Sequence, residues 1–347
     1  MKKITSVIAM LIMTALCLTA CGDKVSKSEA KGKSLNIVTT IFPEYDWVRE
    51  ILGDRAKDAE ITMLLDNGVD LHSYQPTAQD IMKISSCDLF IYVGGESDEW
   101  VEDALKTAVN KDMTVINLLE ALGDKVKAEE IVEGMEHEHD HDHDHEEGED
   151  HDHEEGEDHD HDHDHEHEEE TDEHVWLSLR NAEILCDAIA DALKKIDSAN
   201  AETYDNNVKA YKDKLNDLDG KYTEAVNAAS VKTLLFGDRF PFRYLTDDYG
   251  LNYYAAFSGC SAESEASFET ILFLAGKVSE LKLPAIMTIE SANGRIAETV
   301  KENTDTKDQK ILVLDSMQSV TSKNVSEGAT YLKIMESNLE VLKEALK

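Results

Sequence analysis

The chain has 347 residues, enough for more than one ordinary domain once low-complexity stretches are set aside. Its 73 Asp and Glu residues against 34 Lys and Arg give a formal net charge of -39. That balance argues against nucleic acid as a partner, because such binding needs a basic footprint.

Taken from the start, Lys2 and Lys3 precede an apolar run over 7–18 and then Leu18-Thr19-Ala20-Cys21-Gly22. The run is shorter than the roughly 20 residues that span a bilayer. Residues 1–20 therefore read as a lipoprotein signal peptide, with cleavage before Cys21 and lipid on its thiol. This places the mature chain outside the cytoplasm, lipid-anchored to the cell membrane, with 21–33 as a polar tether. A strand is expected over 34–40, a helix over 44–52 and a strand over 61–65. A second cycle follows: a helix over 77–84, a buried strand over 89–93 (LFIYV), a helix over 100–108 and a short strand over 114–117. Strands alternating with helices imply parallel pairing and right-handed crossovers, so 34–133 reads as an N-terminal α/β lobe.

The stretch 134–173 carries twelve histidines among Asp and Glu: His137, His139, His141, His143, His145, His151, His153, His159, His161, His163, His165 and His167. Low hydrophobicity and dense like charge predict a disordered loop. Neutral imidazole is a borderline-soft donor suited to zinc, copper and nickel, and the carboxylates concentrate cations. Many near-equivalent sites give loose, exchangeable binding, so a selective site must lie elsewhere.

Two linking helices are expected over 177–196 and 201–229, within a connecting segment 174–229. The C-terminal lobe, 230–347, repeats the alternation, with strands over 232–236, 252–256, 285–289 and 311–314 and helices over 242–249, 268–281, 295–302 and 328–346. The fold class is thus α/β, two lobes with mostly parallel sheets joined by a long linking helix. Ligands in such sheets bind beyond the carboxyl ends of strands, in the cleft.

Two histidines lie outside the acidic tract. His72 sits in Asn67-Gly68-Val69-Asp70-Leu71-His72-Ser73-Tyr74-Gln75-Pro76, a punctuated loop after a strand, and His174 in Asp172-Glu173-His174-Val175-Trp176-Leu177. Both are candidate metal ligands. With Cys17 removed and Cys21 lipidated, Cys87, Cys186 and Cys260 remain, an odd number. Cys87 and Cys186 read as packed core thiols. Cys260, in Ser258-Gly259-Cys260-Ser261, lies on a loop nearer a site, but no zinc-knuckle spacing is present and no thiolate ligand is assigned.

These residues resemble a known family, the metal-binding receptors of ABC importers for zinc and manganese whose lobes are linked by a rigid helix. Gly68-x-Asp70-x-His72-x-Tyr74-x-Pro76 with Asp80 is similar to its first ligand loop. Glu173-His174-Val175-Trp176-Leu177 with Asn181-Ala182 is similar to its second. The resemblance implies a ligand after the first strand of the second lobe, here Asp238, and a last ligand at a late strand end, Asp315. Each also reads as a helix-capping carboxylate. Glu290, Glu263 and Glu265 are reserves, with Glu290 read rather as a residue that orients loops. A His-rich insertion before the second ligand points to Zn(II) as cargo, with Mn(II) as the rival. The implied partners are a permease and its ATPase, and the receptor is expected to be a monomer. Binding is expected to weaken as pH falls through the histidine range. A surface metal buffer or adhesin without transport is a further alternative. No enzyme is expected, since His-Glu-x-x-His outside the tract, Gly-x-Ser-x-Gly and phosphate-loop motifs are absent.

Overall fold

The computed structural model describes residues 34–135, 170–261 and 265–347. The expected signal peptide, Cys21, the tether, all twelve tract histidines and Glu263 lie outside the described residues.

The first lobe is a four-stranded sheet of β1 (Asn36–Thr39), β2 (Glu60–Met63), β3 (Leu89–Tyr92) and β4 (Thr114–Asn117), in the order β2-β1-β3-β4. All neighbours run parallel. Helices α1 (Phe42–Leu52), α2 (Ala78–Ser86), α3 (Trp100–Lys106) and α4 (Leu118–Leu122) make the connections. β3 reads as an apolar run because helices cover both faces of a parallel sheet, and Leu89, Phe90 and Ile91 are fully buried. Helix α2 starts where a reciprocal capping box forms: the Thr77 hydroxyl accepts the Asp80 N–H and the Asp80 carboxylate accepts that of Thr77.

Two long helices follow, α5 (Leu179–Ile196) and α6 (Ala201–Ala228). With 28 residues, α6 is about 42 Å long at 1.5 Å per residue. Its buried stripe of Tyr204, Val208, Tyr211, Leu215, Leu218, Tyr222 and Val226 recurs at three- and four-residue spacing.

The second lobe contains β5 (Thr233–Phe240), β6 (Asn252–Ser258), β7 (Ala285–Ile289) and β8 (Lys310–Leu314), ordered β6-β5-β7-β8 and again parallel. Its helices are α7 (Arg243–Tyr249), α8 (Phe268–Leu281), α9 (Arg295–Glu302), the short α10 (Ser322–Ser326) and α11 (Tyr331–Ala345). Helix α6 is tied to both lobes: the Asn207 amide donates to the Ile51 carbonyl on α1, and the Tyr222 hydroxyl to the Met335 carbonyl on α11. One apolar core, including Trp47, Trp176, Tyr211 and Tyr331, runs through both lobes and these helices. Among the described residues, no helix is long and apolar enough to cross a membrane.

Two details near the cleft differ from expectation. Strand β5 does not stop at Phe236 but runs to Phe240, with a register shift between Phe236 and Arg239. The C-terminal end of the expected loop 134–173 is built into the fold: Ala128 and Thr171 form an antiparallel bridge, flanked by Glu129 N–H to Glu170 O and Asp172 N–H to Lys127 O. The Tyr244 hydroxyl of α7 donates to the Asp172 carbonyl and accepts the Lys127 N–H, which secures this bridge beside His174.

Candidate metal centre

His72 lies on a single 3-10 turn, Leu71–Ser73, that Asp70 initiates by accepting the His72 N–H at 3.1 Å. Buried Leu71 anchors the turn. The His72 Nδ1 is 2.8 Å from the Ser97 hydroxyl and 3.4 Å from Glu173 Oε2, while Glu173 Oε1 accepts the Ser97 N–H at 2.9 Å. Glu173 reaches this position because residue 95 is glycine, at φ 80, where a Cβ would stand 2.3 Å from Glu173 Oε1. With Nδ1 occupied, His72 presents Nε2 to the cleft.

His174 is fully buried. Asp172 Oδ1 accepts its backbone N–H at 2.9 Å and lies 3.0 Å from its Nδ1, fixing the ring so that Nε2 faces His72. A carboxylate behind an imidazole is the usual means of setting a metal ligand's tautomer. The two Nε2 atoms are 3.2 Å apart. Two nitrogens bound to one tetrahedral zinc at 2.0–2.1 Å stand about 3.3 Å apart, so the observed spacing is already that of a ligand pair. Burial, then the neighbouring His174, pushes the His72 pKa down to about 3.

A third side chain, Cys260, joins the two imidazoles. Its sulfur and the two imidazole nitrogens all lie within 4.8 Å of one another, and among the described residues this is the grouping of His, Cys, Asp and Glu able to hold an ion. Burial, followed by Glu129 and Asp172, pushes the Cys260 thiol pKa up. A bound cation reverses that preference, because coordination deprotonates a thiol. Gly259 makes the approach possible: a Cβ there would meet His174 Cε1 and Nδ1 at 3.1 Å and the Phe240 carbonyl at 2.9 Å.

The two carboxylates expected from the resemblance stand outside this grouping. Asp238 lies within β5, not in a loop after it. Its oxygens accept the N–H groups of Arg239 at 2.9 Å and Ile289 at 3.1 Å, so it bridges β5 to β7 where their ladder is reduced to the pair Phe236 and Met287. Nor does it cap α7, whose N-cap position is Phe242. Asp315 follows β8 and accepts the Met317 N–H at 2.8 Å. Burial, then Glu290, raises its pKa to about 6. Glu290 gathers the N–H groups of Ser316, Gln318 and Ser319, holding this loop in shape. Glu265 is exposed.

Sequence reasoning did not place Cys260 beside the two imidazoles and gave no role to Arg239, which pairs with Asp70 at 2.6 Å across the lobes. The available signal for Cys260 was its Gly-Cys step just beyond a strand, in a chain with an odd thiol count.

Comparison with known proteins identifies the family. The family described as zinc-uptake complex component A periplasmic matches residues 37–345. The zinc-binding lipoprotein AdcA of Streptococcus pneumoniae is 33% identical over 344 residues, 99% of this chain and 61% of AdcA, so this chain spans about three fifths of that relative. The high-affinity zinc uptake system protein ZnuA of Bacillus subtilis is 30% identical over 95% of this chain and 94% of its own length. The Zn(II)-bound ZnuA-like domain of the S. pneumoniae AdcA superposes with a TM-score of 0.66 at 29% identity, covering 90% of this chain and 99% of that domain. On a match over nearly all of its described length, the chain belongs to the ZnuA family, zinc-uptake complex component A.

Proposed function

We propose that this protein is an extracytoplasmic receptor that binds Zn(II) in the cleft through His72, His174 and Cys260 and delivers it to an ABC permease driven by its ATPase. Lipid on Cys21 is the proposed anchor, in keeping with the lipoprotein name of the AdcA relative. The observation that carries the reading is the pair of imidazoles, His174 buried and His72 half-buried, oriented by Asp172 and Glu173, with their Nε2 atoms 3.2 Å apart. A half-buried thiol beside them favours zinc over manganese, since soft thiolate suits Zn and hard oxygen donors suit Mn.

We assign the fourth tetrahedral position to Asp315. It lies on the loop whose Ser316 carbonyl accepts the indole N–H of Trp176 at 2.9 Å, and the Trp176 ring packs 5.3 Å from that of His174. Asp238 is left out because two backbone amides already use its carboxylate. The histidine tract is assigned a reservoir role, raising metal concentration near the cleft from a segment that returns to the fold four residues before His174.

Calorimetry on the full chain, on a chain with 136–169 replaced by a short Gly-Ser linker, and on His72→Ala and Asp315→Asn variants tests this reading. The linker chain should keep one tight zinc site and lose the weak ones, His72→Ala should lose the tight site, and Asp315→Asn should weaken it about tenfold. Tight binding retained in His72→Ala would overturn the assignment of the cleft.

A further inference from the structure

The guanidinium of Arg239 enters from β5, just beyond its register shift, and is largely buried, at 14% side-chain exposure. One nitrogen is 2.6 Å from Asp70 Oδ2, on the His72 loop of the first lobe, and the other donates to the Ser261 carbonyl at 3.3 Å, next to Cys260. Arg239 thus touches two of the segments that bring donors to the proposed site. The second oxygen of Asp70 lies 4.0 Å from His72 Nε2. Two donors bound to one ion at about 2.1 Å stand about 3.0–3.5 Å apart, so Asp70 is within about an ångström of sharing the ion held by His72. A charge-assisted hydrogen bond to a planar, permanently charged partner holds it away.

Carboxylate oxygen is the donor that hard, higher-coordinate ions such as Mn(II) seek, whereas imidazole and thiolate suit zinc in a four-coordinate shell. Resting on the proposed site, we propose that Arg239 is a specificity-determining residue: by keeping Asp70 in an ion pair it denies the cleft a further hard donor and so disfavours Mn(II). Replacing Arg239 with a neutral side chain releases Asp70 toward the ion and shifts preference toward manganese. A purely structural ion pair would instead alter affinity for all metals alike.

The test uses the full chain loaded with less than one equivalent of Co(II). Because the histidine tract has no cysteine, the thiolate-to-cobalt charge-transfer band reports the Cys260 site and not the tract. Mn(II) is then added until the band is halved. In Arg239→Gln, at least tenfold less Mn(II) should suffice than in the wild type, while one equivalent of Zn(II) should still abolish the band in both. Adding Asp70→Asn to Arg239→Gln should restore the manganese requirement to within threefold of wild type. Arg239→Lys, which keeps the charge but loses the fork, should give a smaller shift of the same sign, so the proposal stays testable if the Gln variant folds poorly. A manganese requirement unchanged in both Arg239 variants, or a shift that survives Asp70→Asn, would overturn the proposal. A wild-type protein lacking the thiolate band would overturn the site assignment itself, an outcome distinct from failure of the Arg239 role alone.

Discussion

Gly259→Ala probes how closely the second lobe is fitted to the His174 imidazole. Position 259 does not stand out for a left-handed backbone; its constraint is space. An added methyl would lie 3.1 Å from His174 Cε1 and Nδ1 and 2.9 Å from the Phe240 carbonyl, all inside ordinary van der Waals contact. The His174 ring cannot retreat, being fully buried and held through Nδ1 by Asp172 at 3.0 Å. The Phe240 carbonyl is strand backbone at the end of β5, paired to Ser258 of β6. Overpacking of this kind costs about 1–3 kcal/mol. Because the ring is displaced along the direction that sets Nε2, most of that cost should fall on metal affinity, a loss of about ten- to a hundredfold at 1.4 kcal/mol per decade. Competition against a chromogenic chelator measures the affinity, and thermal unfolding of the metal-free protein measures the remainder. Zinc affinity within twofold of wild type, with an unchanged melting temperature, would show that the ring is not packed as described.

Cys260→Ser removes the soft donor while keeping a small polar side chain, and should weaken zinc by at least a hundredfold, about 2.8 kcal/mol, with loss of the cobalt thiolate band. Asp238→Ala should leave zinc affinity within threefold and lower stability by about 1–3 kcal/mol, because it strands the Ile289 N–H; denaturant melts and chelator competition separate the two effects. Glu44 is fully buried, and burial followed by the charge of Asp98 raises its pKa from 4.5 to about 8, so the folded chain holds a proton that the unfolded chain has released. Its contribution is fully present below pH 4.5 and is lost as pH rises through 8, on the order of 5 kcal/mol at about 1.4 per unit. Urea melts at pH 5 and pH 8 should therefore show a smaller decline for Glu44→Gln than for wild type, and equal declines would contradict the burial argument.

The two parallel lobes were legible because parallel strands are buried on both faces and spell unbroken apolar runs, as β3 does, while α5 and α6 carry clean helical stripes. The end of β5 was not, since Gly237, Asp238 and Arg239 lack any apolar pattern and the strand there is held by the Asp238 carboxylate. Short α10 was missed although Thr321 and Asn324 form a capping box, because five residues show no periodicity. His72 and His174 stood out as the two histidines outside the tract. Cys260 and Arg239 did not, because their nearness to those imidazoles exists only after β5 and β6 bring residues 239 and 260 to one edge of the cleft.

X-ray absorption at the zinc edge, on full-length protein carrying half an equivalent of zinc, tests the central claim most directly. The account predicts one sulfur at about 2.3 Å with two imidazole nitrogens at about 2.0–2.1 Å. A shell of nitrogen and oxygen alone, unchanged by Cys260→Ser, would contradict it and move the bound ion away from the site between His72, His174 and Cys260.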